Sequence, residues 1–135
     1  MILFVCVENA GRSQMAEAFA RSRGLEAMSA GTVPSAGVNP VVVEAMREKG
    51  LDLASSAPKM LTSEMVREAS LVVTMGCSVE EACPRPMLAQ MRKKLVDWNL
   101  PDPKGEPIEE VRRIRDEIER RVSELPRERP SASSP

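Results

Sequence analysis

Two stretches of the chain are almost continuously apolar, Ile2–Val7 and Leu71–Met75. An unbroken apolar run of this length is typical of a strand that is buried on both faces of a sheet. Two further short stretches, Leu25–Ala30 and Leu95–Trp98, lie between loop signals and are also predicted to be strands. The pattern therefore predicts four strands in all.

Helical segments separate these strands, and their ends carry residues that usually start helices. Ser13 follows a turn of small residues and is predicted to cap the first helix. Asn39 and Pro40 fit an N-cap followed by proline at the first helical position. Thr62 or Ser63 is expected to cap a short helix. The predicted helices are Gln14–Arg23, Pro40–Lys49, a segment from 62 or 63 through Ala69, and Pro107–Leu125.

The helix predicted over Pro107–Leu125 has the clearest amphipathic pattern in the chain. Its apolar stripe consists of Val111, Ile114, Ile118, Val122 and Leu125. Its wet face is expected to carry ion pairs between Glu109 and Arg113 and between Arg115 and Glu119. The segment Cys77–Gln90 is less regular, and the pattern leaves a loop and a frayed helix open as interpretations.

Strands that alternate with helices predict an α/β fold built on a parallel sheet. The length of 135 residues is typical of one domain, and a 42% apolar content is sufficient for one core. The Pro/Ser-rich segment 126–135 is predicted to be a disordered tail, which leaves residues 1–125 as the domain.

The charge distribution argues against several kinds of binding protein. The formal net charge is −1, and acidic and basic residues are interleaved. Proteins that bind nucleic acids or membrane surfaces usually carry a basic patch instead. The apolar runs are too short for a membrane span, and no basic segment precedes the first of them as in a signal peptide. We therefore expect a cytoplasmic protein, most simply a monomer.

The cysteine and histidine content restricts the chemistry further. Three cysteines are an odd number, which fits reduced thiols better than a fixed disulfide framework. The chain has no histidine, which excludes Cys–His and Ser–His catalysis and most zinc sites. We predict no cofactor and no metal site. An activated cysteine must therefore rely on arginine, lysine or a helix N-terminus.

Cys6 ends the first apolar run, and Arg12 and Ser13 follow after a short loop of small and polar residues. A loop from a strand to a helix directs backbone N–H groups to one point, where the helix dipole adds positive charge. A thiolate is stabilised there, and Arg12 offers paired donors to a tetrahedral oxyanion. We predict that Cys6 is a nucleophile and that the oxyanion binds to Val7, Glu8, Asn9, Ala10, Gly11, Arg12 and Ser13. The alternative is a structural, buried cysteine.

Three members of this loop have individual expectations. Asn9 is expected to hold the loop through side-chain bonds to the backbone. The Ser13 hydroxyl is expected to donate to the Cys6 thiolate. Glu8 is expected to point outward, since an acid beside an anion site is unfavourable.

The segment CVENAGRSQMAEAF, residues 6–19, resembles the phosphate-binding loop of the low-molecular-weight protein tyrosine phosphatase fold. Within it, NAGRSQMAE resembles the thioredoxin-coupled arsenate reductases built on that fold. The similarity continues through MSAGT (28–32), VNP (38–40), LVVTMGC (71–77), ACP (82–84) and DWNLPDP (97–103). The resemblance implies one three-layer α/β/α domain with a four-stranded parallel sheet.

The resemblance also assigns roles to the other two cysteines and to an acid. It implies that Cys6 attacks arsenate, that Cys77 and then Cys83 carry the resulting disulfide, and that thioredoxin reduces it. Asp102 is implied to be the general acid. From the residues alone, the C-x5-C spacing of Cys77 and Cys83 also allows two idle thiols, and Asp102-Pro103 also fits an ordinary turn.

Some relatives bind potassium beside the loop, and the matching ligands here are Asn9, Glu17 and Ser29. Those relatives supply a further acid from a region that corresponds to Ala57–Leu61, where this chain has Lys59 instead. We therefore hypothesise that the Lys59 ammonium takes the place of the cation beside Glu17.

Three other functions remain open at this point. A tyrosine phosphatase needs Cys6, Arg12 and Asp102 only, but such relatives usually place tyrosines after the Asp-Pro pair. This chain has no tyrosine and has Lys104 and Gly105 there. A reductase that uses a low-molecular-weight thiol would not need the third cysteine, and a sensor of oxyanions would need no catalysis.

Overall fold

The computed structural model describes residues 1–76, 89–91 and 94–126. The part of the chain described contains one sheet of four strands, which confirms the predicted parallel α/β architecture. The strand order is β2-β1-β3-β4, and every neighbouring pair is parallel. The strands are β1 (Ile2–Cys6), β2 (Ala27–Gly31), β3 (Leu71–Thr74) and β4 (Leu95–Asp97).

All five residues of β1 are buried, as expected of a central strand covered on both faces. The second strand begins two residues later than predicted and extends to Gly31, one residue past the predicted end. The reason is pairing on both sides, because Gly31 lies opposite Cys6 in the sheet and bridges to Met60 on its other edge.

The described helices are α1 (Arg12–Ser22), α2 (Pro40–Arg47), α3 (Ser63–Glu68) and α4 (Ile108–Ser123). Two predicted caps are confirmed. The Asn39 side chain accepts a hydrogen bond from the Val41 backbone N–H at 2.9 Å. The Thr62 hydroxyl accepts one from the Met65 N–H at 3.2 Å. These caps set where α2 and α3 begin.

The predicted cap of the first helix is wrong. The N-cap of α1 is Gly11, and Ser13 lies inside the first turn, where it is fully buried. The Ser13 hydroxyl is instead directed toward Cys6 and Asn9, which it contacts at 2.9 and 2.8 Å. The helix therefore starts directly from the loop that carries Arg12.

Helices cover both faces of the sheet, which confirms the three-layer arrangement. Alternate residues of β1 point to opposite faces, as strand geometry requires. Phe4 packs with residues of α1, α2 and α4, and its ring lies 5.7 Å from the ring of Trp98. Leu3 and Val5 pack on the other face with Val66 of α3. No helix in the described ranges is both long and apolar enough to cross a membrane.

Arg115 corrects the predicted wet face of the last helix. It was expected to pair with Glu119 in solvent, but it is 7% exposed and points into the contact between α2 and α4. Its Nη1 donates to the Ala45 carbonyl at 2.9 Å and to Glu48 at 2.7 Å. Arg112 also binds Glu48, at 2.7 Å. The pairing predicted from the i,i+4 spacing is wrong because Glu48 and the Ala45 carbonyl bind Arg115 from across the interface.

The two arginines lower the pKa of Glu48 from 4.5 to about 2, mainly through the hydrogen bonds from Arg112 and then Arg115. A carboxylate with a lowered pKa in the folded state stabilises the protein above its unfolded pKa, and that contribution is lost as pH falls toward 2. We therefore predict that Glu48→Gln lowers the free energy of unfolding at pH 7 and that the difference from wild type shrinks at pH 3. Urea unfolding at both pH values measures this.

The matched control is Glu106→Gln, which removes an exposed carboxylate from the loop that precedes α4. We expect it to change neither stability nor its pH dependence. An equal loss of stability at pH 7 and pH 3 for Glu48→Gln would contradict the electrostatic explanation.

Candidate active site

The strand order places a cleft between the carboxyl ends of β1 and β3. The chain passes from β1 to β2 on one side of this point and from β3 to β4 on the other. Open parallel sheets usually bind ligands where the strand order reverses in this way. A cavity of about 930 Å³ lies there. Two loops line most of it: the anion loop, residues 6–12, and the acid loop, residues 100–105.

Cys6 lies at the end of β1 at the bottom of this cavity and is 5% exposed. The Asn9 backbone N–H donates to its Sγ at 3.1 Å, and the Ser13 Oγ lies 2.9 Å from the same sulfur. Hydrogen-bond donors directed at the sulfur favour the thiolate over the thiol. The geometry is therefore that of a nucleophile in an anion-stabilising loop.

The Asn9 side chain links the Lys59 backbone to the Ser13 hydroxyl. The Lys59 backbone N–H, which can only donate, lies 2.8 Å from Asn9 Oδ1. The amide nitrogen Nδ2 is then the atom that donates to Ser13 Oγ at 2.8 Å. The hydroxyl hydrogen of Ser13 is left available as a donor, and the Cys6 sulfur lies within its reach at 2.9 Å. Asn9 thus bonds to backbone through its side chain as expected, and donation from Ser13 to the Cys6 thiolate stays a prediction.

The side chains of Asn9 and Ser13 point beneath the anion loop rather than into the cavity, and both residues are fully buried. Asn9 has a φ of 52°, a left-handed conformation that asparagine tolerates better than most residues. The cavity itself is lined by Val7, Glu8, Ala10, Gly11 and Arg12. The predicted anion-binding set is thus divided into residues that line the cavity and residues that shape the loop from below.

Arg12 is the first residue of α1, is 9% exposed and lines the cavity. Its Nη1 donates to the Met75 carbonyl at 2.7 Å and to the Leu100 carbonyl at 2.5 Å. These contacts join the anion loop to the ends of β3 and of the segment after β4. Sequence reasoning missed both partners, because any residue type supplies a backbone carbonyl.

Asp102 lies in the acid loop at the cavity, and its side chain is 58% exposed. Its Oδ2 is 4.0 Å from Arg12 Nη2, and its Oδ1 accepts from the Lys104 N–H at 3.0 Å. The next residue, Pro103, packs against Gly11, where a Cβ would come within 2.9 Å of the proline Cγ. The acid is therefore held close to Cys6 and Arg12 by the contact between the two loops.

Cys77 and Cys83 lie outside the described residues, so the predictions for them are not tested by the structure. The residue before Cys77 is fixed. The Gly76 N–H donates to Asp97 Oδ1 at 2.8 Å, and a Cβ on Gly76 would lie 2.8 Å from the Asn99 Cα. Gly76 itself lines the same cavity, so the described chain reaches the cavity one residue before Cys77.

The proposed potassium ligands are already occupied by hydrogen-bond donors. Glu17 Oε1 accepts from the Ser29 hydroxyl at 2.5 Å and lies 3.4 Å from Lys59 Nζ. Asn9 Oδ1 accepts from the Lys59 N–H and from Gln14 Nε2, the latter at 3.1 Å. A cation needs free oxygen lone pairs, so this donor set does not fit potassium. It fits the hypothesis that the Lys59 ammonium lies in its place.

A thiol and an arginine in one loop at the carboxyl end of a parallel sheet define a class of α/β proteins with a cysteine-bearing anion loop. The family model described as low molecular weight phosphotyrosine protein phosphatase matches residues 1–130. The chain belongs to this family, which confirms the resemblance seen in the sequence.

Curated relatives of this chain carry the name arsenate reductase. A Halobacterium salinarum protein, provisionally named an arsenate reductase, is 42% identical over 130 residues, which is 90% of this chain and 87% of its own length. An arsenate reductase of Staphylococcus aureus is 35% identical over 120 residues, covering 87% of this chain and 88% of its own.

Solved structures include both reductases and phosphatases. A thioredoxin-dependent arsenate reductase of Corynebacterium glutamicum is similar with a TM-score of 0.73 and 36% identity, covering 92% of this chain and 58% of that one. The YwlE arginine phosphatase of Geobacillus stearothermophilus has a TM-score of 0.79 and 28% identity, covering 90% of this chain and 87% of its own. Overall similarity therefore does not separate the two activities.

Gly31 supports the anion loop from the neighbouring strand, a role the sequence did not indicate. A Cβ at this position would lie 2.4 Å from the Val7 carbonyl oxygen and 3.0 Å from the Asn9 nitrogen. We predict that Gly31→Ala displaces the loop and weakens binding of inorganic phosphate about tenfold, equivalent to about 1.4 kcal/mol. Isothermal titration calorimetry with phosphate measures this.

The control is Gly37→Ala, since Gly37 also lines the cavity but a Cβ there meets no atom within 4 Å. We expect its affinity for phosphate to stay close to that of wild type. If the two variants bind phosphate equally well, the close approach of Gly31 to the loop does not shape the site.

Proposed function

We propose that this protein reduces arsenate to arsenite with three cysteines acting in sequence and that thioredoxin regenerates it. The observation that carries the proposal is the position of Cys6, whose sulfur lies 2.9 and 3.1 Å from two polar partners in a cavity shared with Arg12 and Asp102. The names of relatives at 35% and 42% identity support arsenate as the substrate. The thioredoxin-dependent neighbour at 36% identity supports the partner.

In the proposed reaction, arsenate binds to the backbone N–H groups of the anion loop and to the Arg12 guanidinium, and the Cys6 thiolate attacks arsenic. Asp102 gives its proton to the departing hydroxyl group, which leaves as water. Cys77 then attacks the Cys6 sulfur. The electron pair of the arsenic–sulfur bond passes to arsenic, which leaves as arsenite, and a Cys6–Cys77 disulfide forms.

The second half of the proposed cycle restores Cys6. Cys83 attacks the Cys77 sulfur, and the Cys6 thiolate leaves as a new Cys77–Cys83 disulfide forms. Thioredoxin, a dithiol, reduces this disulfide and is itself oxidised. Each step is an attack by a thiolate on an electrophilic sulfur or arsenic atom, so two electrons pass from thioredoxin to arsenate in total.

A phosphatase is the second candidate, because Cys6, Arg12 and Asp102 are also sufficient for phosphoester hydrolysis. The similarity to an arginine phosphatase at a TM-score of 0.79 is consistent with this candidate. The chain has no tyrosine to line a phosphotyrosine cleft, and it has two further cysteines that a phosphatase does not need. We therefore assign phosphatase activity to a weak side reaction.

The test is a coupled assay with arsenate, thioredoxin, thioredoxin reductase and NADPH. We expect wild type to consume NADPH and Cys83→Ser to fall to the background rate, because the disulfide can no longer move away from Cys6. Hydrolysis of an aryl phosphate serves as the control for folding, since Cys83→Ser should retain it. We expect Cys6→Ser to lose both activities.

The possible outcomes separate the candidate functions. Turnover of Cys83→Ser at the wild-type rate would show that the relay is wrong. Turnover of wild type with a low-molecular-weight thiol but not with thioredoxin would favour the other kind of reductase. Hydrolysis of aryl phosphate without any arsenate reduction would favour a phosphatase.

We also propose that the Lys59 ammonium replaces a potassium ion beside Glu17. The support is the 3.4 Å separation of Lys59 Nζ from Glu17 Oε1 and the occupation of the neighbouring oxygen atoms. We predict that exchanging sodium for potassium leaves the wild-type kcat/KM for arsenate unchanged. For Lys59→Ala, we expect a lower kcat/KM that potassium partly restores.

Lys49→Ala is the matched control, because the Lys49 side chain is 35% exposed and that of Lys59 is 36% exposed. Lys49 follows α2 and pairs with Glu119 of α4 at 3.1 Å. Its loss should not create a response to potassium. A several-fold activation of wild type by potassium would contradict the proposal.

A further inference from the structure

An ion pair lies across the mouth of the cavity. Lys104 Nζ is 3.1 Å from Glu8 Oε2, and both residues line the cavity. Glu8 belongs to the anion loop and Lys104 to the acid loop, so the pair joins opposite sides of the opening. We refer to Glu8 and Lys104 as the rim pair. Glu8 was expected to point outward, and it lies at the outer edge of the cavity with its charge compensated.

The rim pair is not needed to hold the two loops together. Their contact already includes the packing of Pro103 on Gly11 and the hydrogen bond from Arg12 to the Leu100 carbonyl. The rim pair is more exposed than these contacts, with side chains that are 71% and 40% accessible. Exposed ion pairs contribute little to stability. Its effect is therefore expected on the space and charge of the opening.

The opening lies on the side of the cavity from which a leaving group must depart. In displacement at a tetrahedral oxyanion, the attacking and leaving atoms lie roughly in line. Cys6 is at the bottom of the cavity and Asp102 is in the loop that borders it. Any organic group on the leaving oxygen would continue past Asp102 toward Lys104, whose own N–H holds the Asp102 carboxylate at 3.0 Å.

We propose that the rim pair is a specificity determinant that admits free tetrahedral oxyanions and disfavours their esters. A hydroxyl leaving group is small enough to remain beneath the pair, whereas an aryl or alkyl substituent must separate Glu8 from Lys104. Lys104 also cancels the charge of Glu8, which would otherwise repel an incoming dianion. The proposal deepens the proposed function, on which it rests, by explaining how a phosphatase-like site selects a small inorganic substrate.

The experiment compares two quantities that do not require thioredoxin or arsenate reduction. One is kcat/KM for hydrolysis of p-nitrophenyl phosphate, and the other is the inhibition constant of inorganic phosphate in the same assay. The product of kcat/KM and the inhibition constant measures the selectivity for ester over free oxyanion. The variants are Lys104→Ala, Glu8→Gln and the double variant, each at fixed ionic strength.

The matched control is Arg113→Ala. It breaks a pair with Glu110 of nearly the same length, 3.0 Å, and with similar exposure, 77% and 35%, on the outer face of α4. We expect the control to leave the selectivity unchanged. For Lys104→Ala and Glu8→Gln, we expect the selectivity for ester to rise about fivefold, the scale of one exposed ion pair. The double variant should show no more than either single change.

Charge alone predicts a different pattern. Lys104→Ala would then weaken the binding of ester and phosphate together, and Glu8→Gln would strengthen both, with no change in their ratio. That result would overturn the proposal, as would a wild type that already prefers ester as strongly as the double variant. If wild type shows no thioredoxin-coupled reduction of arsenate, the proposed function is overturned, and the selectivity measurement stays valid.

Discussion

The guanidinium group of Arg12 connects the parts of this structure that the chemistry depends on. Its Nη1 binds the carbonyl oxygens of Met75 and Leu100, so the loop after β1 is tied to the ends of two other segments of the sheet. A planar group with several fixed donors can make these contacts and still present its other edge to a ligand. A lysine at this position could not hold both carbonyls and face an oxyanion with paired donors.

A second constraint lies beneath the anion loop. The Lys59 N–H fixes the orientation of the Asn9 amide, and the amide donates to the Ser13 hydroxyl, which lies 2.9 Å from the Cys6 sulfur. A residue far along the chain thus contributes, through a backbone N–H group, to the hydrogen-bond network that reaches the sulfur. The same segment places the Lys59 side chain beside Glu17. Lys59 therefore contacts both the Asn9 side chain beneath the thiol and the partly buried carboxylate of Glu17.

Much of the fold and part of the site could be predicted from the sequence. The unbroken apolar runs and the Asn39 and Thr62 caps are local signals, and the structure agrees with them. The pairing of Arg115 was missed because helical spacing does not reveal what α2 presents across the interface. The carbonyls that bind Arg12 were missed because any residue type supplies a backbone carbonyl. The role of Gly31 was missed because the loop that it contacts follows a different strand. Cys77, Cys83 and the tail after residue 126 lie outside the described residues, so their roles and the domain limits stay predictions. The monomeric state and the cellular location also stay predictions.

The first helix begins at Arg12 after the N-cap Gly11, and among the described residues no side chain caps it. The amides of an uncapped first turn need acceptors from elsewhere, and an oxyanion bound as proposed supplies them. The substrate then completes the secondary structure of the protein that acts on it. Binding of the anion then stabilises the start of α1 by linkage, and each turnover that releases the product removes that acceptor. The enzyme would be most tightly organised at the moment when Cys6 must be held in line for attack.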